Sequence, residues 1–370
     1  MKSIENLSAY ELVEKRTLED LKSEGYILKH KKSGARIALI SNDDENKVFY
    51  IGFRTPPKDS TGVAHILEHS VLCGSKDFPI KDPFVELINS LGLKINNRHK
   101  EMKIERVKLC ETSADVYIDV YISDKIDGFE RKAILVIPGG GYSCVCSDRE
   151  GEPIAQAFIP YGYNAFVLHY TVDKKHPFPT QLIEVAEAIK HIKDNAEKYG
   201  IAKDKVFVVG FSAGGHLAGC SGILWNHPEI YEKVSMPYGY NKPTGVMLMY
   251  PVISPEHHVF SFNNLLCEEQ PTKEELNSVS LEKHVDTDST PAFIFHTSND
   301  EIVNVKNSLC LANAYSDAGI KYELHIYPDA PHGIALANQI TDCNKACWND
   351  TAMSEWVRMA VYWAENIKVD

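Results

Sequence analysis

A chain of 370 residues, 44% of them hydrophobic and with no apolar run long enough to span a bilayer, fits one large globular domain plus a smaller piece. Its formal net charge of −12 is spread along the sequence and not gathered in blocks, which argues against nucleic acid and membrane as partners. Nine cysteines without framework spacing, and an N-terminal stretch with neither basic flank nor apolar core, point to free thiols in a reducing cytoplasm.

In chain order, residues 12–20 read as a short amphipathic segment. Residues 26–30 and 36–40 have the pattern of hairpin strands around Lys31-Lys32-Ser33-Gly34, and residues 47–53 that of a third strand. Beyond Thr55-Pro56-Pro57 a helical pattern carries His65, Glu68 and His69. Two histidines four apart share one helix face. His-x-x-Glu-His is an order in which both imidazoles hold zinc and the carboxylate activates a water.

The wider text runs from Tyr26 through His65-Ile66-Leu67-Glu68-His69-Ser70-Val71-Leu72-Cys73-Gly74-Ser75 to Pro83-Phe84-Val85-Glu86-Leu87. It resembles the start of the presequence proteases of the pitrilysin family, which are inverzincins. That resemblance implies a third zinc ligand, a glutamate on a later helix, and it stops near Ser90. Glu101, Glu105 and Glu111 follow in surroundings unlike such a ligand helix, and a catalytic zinc needs three protein ligands. The expectation is a small α+β fragment over residues 1–95, truncated, without metal and without protease activity. Burying its apolar faces on the larger domain or on a second copy would offer a route to a homo-oligomer. The rival readings are a zinc metalloprotease using His65, Glu68 and His69, or a non-catalytic assembly role for the fragment.

The polar, basic residues 91–103 read as a junction, and the pattern then changes. Val107, Leu109, Val116, Ile118, Val120 and Ile122 alternate with polar residues as in two antiparallel strands. A continuous apolar run at 133–137 suits a strand buried on both faces, 164–170 and 206–209 read as further strands, and 246–250, 292–295 and 322–327 as further apolar runs. Helical patterns at 152–159, 180–199, 305–318 and 351–367 alternate with them. The predicted architecture is α/β, a mostly parallel sheet with helices on both faces and functional groups beyond the carboxyl ends of the strands. Two irregular stretches, 226–244 and 254–291, are long for loops and are expected to form a lid over that edge. Cys144-x-Cys146 and Cys343-x3-Cys347 lack a second pair to complete a metal site and read as packing cysteines.

Within this pattern, Lys205-Val206-Phe207-Val208-Val209 runs into Gly210-Phe211-Ser212-Ala213-Gly214 and then into a helical stretch. G-x-S-x-G between strand and helix is a nucleophile elbow, with the helix N-terminus facing any anion formed at Ser212. A base and an orienting acid should follow in the order acid, then histidine. Asp300 stands in a loop past one strand end and His332 past the next. Glu301 and Asp329 are competing acids, but Asp329 is too near His332 in sequence to face its ring, and Glu301 should point the other way. Asp300 can also be read as a helix N-cap. Gly139-Gly140-Gly141, after the strand at 133–137, lets backbone N–H groups approach an oxyanion; Gly140, Gly141 and Ala213 are the expected donors. A phosphate loop is the other reading of three glycines, but neither nucleotide fingerprint is present. Tyr142 and Arg149, just beyond, are candidate substrate contacts; Tyr142 can equally be packing and Arg149 half of a buried ion pair. His257, His258 and Phe260 stand undecided in the second irregular stretch.

Pro138-Gly139-Gly140-Gly141-Tyr142, Arg149-Glu150-Gly151-Glu152-Pro153, Gly210-Phe211-Ser212-Ala213-Gly214-Gly215-His216-Leu217-Ala218, His296-Thr297 with Asp300, and Pro331-His332-Gly333 together resemble bacterial α/β-hydrolase acetylesterases and carbohydrate esterases, relatives of feruloyl and acetyl-xylan esterases. The likeness runs from about residue 103 to the end. It implies an α/β-hydrolase fold over residues 96–370 and an acyl-serine mechanism without cofactor. The substrate it implies is a small-molecule or oligosaccharide ester, above all acetyl groups on sugars. A serine peptidase of the prolyl-oligopeptidase kind shares the catalytic fold and is the nearest enzymatic alternative.

Overall fold

The computed structural model describes residues 9–19, 22–32, 34, 36–41, 103–109, 116–345 and 348–367. The chain divides into two compact units, Met1–Asn96 and Asn97–Asp370.

In the first unit, strands β1 (Tyr10–Leu18), β2 (Ser23–His30) and β3 (Arg36–Ser41) form an antiparallel sheet in that order. The hairpin of β2 and β3 pairs Lys29 with Arg36 and Glu24 with Ser41. The stretch read as an amphipathic segment is mostly β1, with a register shift between Leu12 and Glu14 where it pairs with β2. The expected strand at 47–53, the helix of His65, Glu68 and His69, and Glu101 and Glu111 lie outside the described residues. Among the described residues no group of three or more His, Cys, Asp or Glu side chains is placed to hold a metal ion.

The second unit is built on eight strands. An antiparallel pair, β4 (Lys103–Lys108) and β5 (Tyr117–Ile122), is followed by β6 (Arg131–Ile137), β7 (Tyr163–His169), β8 (Ile201–Phe211), β9 (Gly245–Met249), β10 (Ala292–Thr297) and β11 (Tyr322–Tyr327). Their order in the sheet is β4-β5-β7-β6-β8-β9-β10-β11, and from β7 to β11 every neighbouring pair is parallel. This is the α/β-hydrolase fold. Side chains alternate between the two faces, so each strand feeds two separate cores. Leu135, Val208, Leu248 and Ile294 pack with the helices Thr180–Asp194, Ala213–Ile223 and Lys306–Ala318. Val136, Phe207, Met247 and Phe293 pack with the helices Glu152–Phe158 and Trp356–Asn366.

The helix expected over 180–199 is broken at Asn195, whose side chain and amide both turn back to the His191 carbonyl, at 2.9 and 3.1 Å. A short helix, Ala196–Tyr199, resumes beyond it.

The two irregular stretches part company. Residues 226–244 lie at the amino end of the strands: Thr244 Oγ1 donates to the Asp204 carbonyl at 2.7 Å and accepts from the Val206 amide at 3.1 Å. Lys193 Nζ donates to the carbonyls of Tyr240 and Lys242. This stretch therefore does not cover the carboxyl edge. The chain has already run back down the helix Ala213–Ile223 when it begins. Residues 254–291, which leave from the carboxyl end of β9, carry the helices Phe260–Leu266 and Lys273–Ser278 and do reach that edge.

Candidate active site

At the carboxyl end of β8 the chain turns through Ser212 into the helix Ala213–Ile223, and Ser212 has φ 54° and ψ −118°. A non-glycine residue in this region carries strain of about 1–3 kcal/mol and persists only where its surroundings over-determine it. Here the Ser212 amide donates to the Met249 carbonyl at 3.0 Å. Its carbonyl accepts from the amides of His216 and Val252, both at 3.1 Å. The flanking glycines are required by close approach: a Cβ on Gly210 would stand 2.1 Å from the Gly214 carbonyl oxygen, and one on Gly214 would stand 2.2 Å from that of Ile137.

Ser212 Oγ lies 2.8 Å from His332 Nε2, and His332 Nδ1 lies 2.6 Å from Asp300 Oδ2. The loop after β10 delivers Asp300 and the loop after β11 delivers His332. Asp300 Oδ1 accepts the amides of Ile302 and Val303 at 2.9 and 2.8 Å. A further imidazole closes on the same carboxylate: His296 Nε2 donates to the Val303 carbonyl at 2.8 Å and stands 3.4 Å from Asp300 Oδ2. Burial works against the charge on Asp300. The hydrogen bonds from His296 and His332, the charge of His332 and the Val303 amide outweigh it and hold the carboxyl well below the usual carboxylate range. The N-cap reading does not apply to Asp300, since Asn304 Oδ1 takes the Lys306 amide at the head of the following helix. Of the competing acids, Asp329 accepts from the Asn299 side chain and Glu301 is exposed.

The loop after β6 supplies the other wall. The Gly139 amide donates to Glu150 Oε2 at 2.8 Å, whereas the amides of Gly140, Gly141 and Ala213 make no hydrogen bond with other described residues. Gly140 and Gly141 line the same cleft as Ser212 and His332, a cavity of about 330 Å³. Tyr170 Oη donates to the Pro138 carbonyl and Asn264 Nδ2 to the Gly141 carbonyl, each at 2.8 Å, so the loop is fixed on both sides.

Tyr142, read above as a candidate substrate contact or as packing, does not line the cleft. With φ 57° its ring turns inward, 2% exposed, and its hydroxyl meets His216 Nδ1 at 2.8 Å. Because His216 Nε2 faces the Val279 carbonyl at 2.9 Å and must donate to it, Nδ1 accepts from the tyrosine. Burial pushes the His216 imidazole down to about 4, keeping it neutral. Arg149 does line the cleft. Among the described residues it forms no ion pair; it donates to the Gly333 carbonyl at 2.7 Å and lies 4.4 Å over the Trp348 ring. His258 and Phe260 also line the cleft, His258 meeting the Ile302 carbonyl at 3.0 Å and Ser261 Oγ at 2.9 Å.

Sequence reasoning missed the group that braces these parts. Glu150, 3% exposed, accepts from Gly139 with one oxygen and from Tyr250 Oη with the other at 2.7 Å. Tyr250 Oη in turn accepts the Ala335 amide at 3.0 Å, and its ring stands edge-on to His332 with centroids 5.0 Å apart. The only sequence signal was an acidic residue inside the Arg-Glu-Gly-Glu-Pro motif, with nothing to name its partner 100 residues away.

Among known families, the BD-FAE model matches residues 118–315 and that of the dienelactone hydrolase family residues 276–363. The endo-1,4-beta-xylanase B of Butyrivibrio fibrisolvens is 40% identical over 222 residues, 57% of this chain and 34% of that protein. Presequence protease 1, chloroplastic/mitochondrial, of Arabidopsis thaliana is 57% identical over 79 residues, 21% of this chain and 7% of that protein. The chain thus spans about a third of the first of these relatives and less than a tenth of the second. Among solved structures, the acetyl ester-xyloside bifunctional hydrolase from Caldicellulosiruptor lactoaceticus superposes with a TM-score of 0.60 at 31% identity, covering 70% of this chain and 95% of that one.

Proposed function

The chain belongs to the BD-FAE family, and on that premise we propose that it is a carboxylic ester hydrolase working through an acyl-serine intermediate. Ser212 Oγ attacks the ester carbonyl while His332 Nε2 takes its proton. Asp300, ionised and fixed by two amides, holds the imidazole in the tautomer that leaves Nε2 free to accept, and stabilises the imidazolium that forms. The amides of Gly140, Gly141 and Ala213 receive the oxyanion. His332 then returns the proton to the departing alcohol, and water repeats the sequence to release the acid. The observation that carries this reading is the unbroken relay of 2.8 and 2.6 Å from Ser212 through His332 to Asp300, beside amides with no other partner among the described residues.

The substrate class we propose is acetyl and other small acyl esters of carbohydrates. Its support is the likeness to an acetyl ester-xyloside bifunctional hydrolase and to an endo-1,4-beta-xylanase. We take residues 96–370 as the esterase domain, with 254–291 as its lid, and residues 1–95 as a truncated presequence-protease-like fragment without protease activity, able to mediate self-association. No helix among the described residues is long and apolar enough to cross a membrane, and the six described cysteines are free, which suits a reducing cytoplasm.

Turnover of p-nitrophenyl acetate by the wild type and by Ser212→Ala tests the mechanism. The variant is expected to lose at least about 10⁴-fold in kcat; equal rates would overturn the assignment. Comparing kcat/KM on acetylated xylan, acetylated mannan and simple aryl acetates tests the substrate class. Preference for the aryl esters over every acetylated glycan would remove it.

A further inference from the structure

We propose that Cys144 and Cys146 form a peroxide-oxidisable dithiol whose closure to a disulfide distorts the anion-hole loop and depresses turnover. The activity half of this inference rests on the esterase reading.

The two sulfurs stand 3.9 Å apart, with Cys144 exposed and Cys146 half-buried on the cleft wall beside Gly140 and Gly141. Both residues are knitted to the glycines. The Cys144 amide donates to the Gly140 carbonyl at 3.2 Å, its Sγ approaches the same oxygen at 3.6 Å, and the Cys146 amide donates to the Gly139 carbonyl at 3.0 Å. Packing alone would not require a thiol at an exposed position, nor two sulfurs in contact. Burial, reinforced by Glu150 and Cys144, pushes the Cys146 thiol up to about 12, so the exposed sulfur of Cys144 is the one that begins.

The chemistry balances with hydrogen peroxide as oxidant. The Cys144 thiolate attacks one peroxide oxygen; an S–O bond forms, the O–O bond breaks, and the departing hydroxide takes the proton the thiol gave up. The Cys146 sulfur then attacks the sulfenic sulfur. An S–S bond forms, the S–O bond breaks, and the hydroxyl leaves as water with the Cys146 proton. Two thiols and one peroxide become one disulfide and two waters, the sulfurs giving up two electrons. A disulfide requires its sulfurs about 2.05 Å apart, against 3.9 Å here, so closure must shift Cys144, Cys146 or both, and with them a loop whose amides work only in a narrow geometry.

The test uses the full chain. After peroxide treatment and alkylation, the tryptic peptide from Ala133 to Arg149 reports on this pair alone, since it holds Cys144 and Cys146 and no other cysteine. The expected result is a peptide lighter by two hydrogens and closed to alkylation until reduced, together with a fall in kcat of roughly tenfold or more that dithiothreitol restores. In Cys144→Ser the ratio of peroxide-treated to untreated rates should stay near that of a mock treatment. An alkylated wild-type peptide would overturn the proposal. So would a disulfide that leaves turnover unchanged, or a reversible loss that persists in Cys144→Ser. Absence of turnover in the reduced wild type would instead fault the esterase reading, while the peptide mass still reports whether the pair closes.

Discussion

Two corners of the second unit each bury a carboxyl group beyond the carboxyl ends of the strands, and they shift its pKa in opposite directions. In the acid loop after β10, Asp300 receives two backbone amides and two imidazoles, and its carboxyl is held down. Where the segment after β7 meets the helix Thr180–Asp194, Glu184 receives, among the described residues, only the Thr171 amide at 2.9 Å and the Thr171 hydroxyl at 2.6 Å. There burial dominates, with the charge of Glu187 adding to it, and the carboxyl is pushed up to about 7. Depth is similar, at 6% exposure for each residue. The difference lies in how many donors face the charge and whether any of them can itself be cationic.

Removing the charge where it is held most firmly has the largest expected effect. Asp300→Asn keeps the shape of the loop but offers the imidazole an uncharged partner and favours the wrong tautomer. We expect kcat on p-nitrophenyl acetate to fall by about 10³–10⁴-fold. A loss below tenfold would mean that Asp300 owes its low carboxyl pKa to structure alone, and the functional side of the contrast would collapse.

The matching change at the other corner should leave turnover intact and act on stability. Between the ordinary glutamate value of 4.5 and about 7, folded Glu184 holds a proton that the unfolded chain has released. Stability is therefore lost as pH rises through that window, fully so above it. Glu184→Gln removes the dependence, so relative to the wild type the variant should gain on the order of 3 kcal/mol between pH 5 and pH 8, read from urea denaturation. The wild type alone is a poor witness. Buried His216, down at about 4, makes stability rise with pH between there and 6.5, opposing the Glu184 trend. The difference between variant and wild type at each pH cancels the histidine. A flat difference would show that Glu184 ionises as freely folded as unfolded.

Much of this was legible in the residues. Val206 to Phe211 running into Ser212 announced the elbow, and a buried parallel sheet made Asp300 and His332 converge because both follow strands. The placement of 226–244 was legible too, but by a rule left unused. A stretch that follows a helix and precedes a strand lies at the amino edge, while one that follows a strand, as 254–291 does, lies at the carboxyl edge. The inward turn of Tyr142 depends on a positive φ in a crowded loop, which no residue pattern displays. The state of Glu184 was equally hidden, since a lone glutamate on a helix carries no mark that its donors will come from Thr171.

The smallest expected effect separates the two donors of that corner. Thr171→Val preserves the volume and the backbone amide but deletes the hydroxyl that reaches Glu184 Oε1. At pH 5 the protonated carboxyl loses a neutral hydrogen bond, a cost of about 1 kcal/mol. At pH 8 the ionised carboxylate loses a charge-assisted one, about 2 kcal/mol. The variant should thus be destabilised at both values, and by roughly 1 kcal/mol more in the alkaline sample. In the Glu184→Gln background that extra increment should vanish, because no charge is left for the hydroxyl to serve. An increment that survived there would place the effect in packing around Thr171, and donor count would no longer explain why the two corners differ.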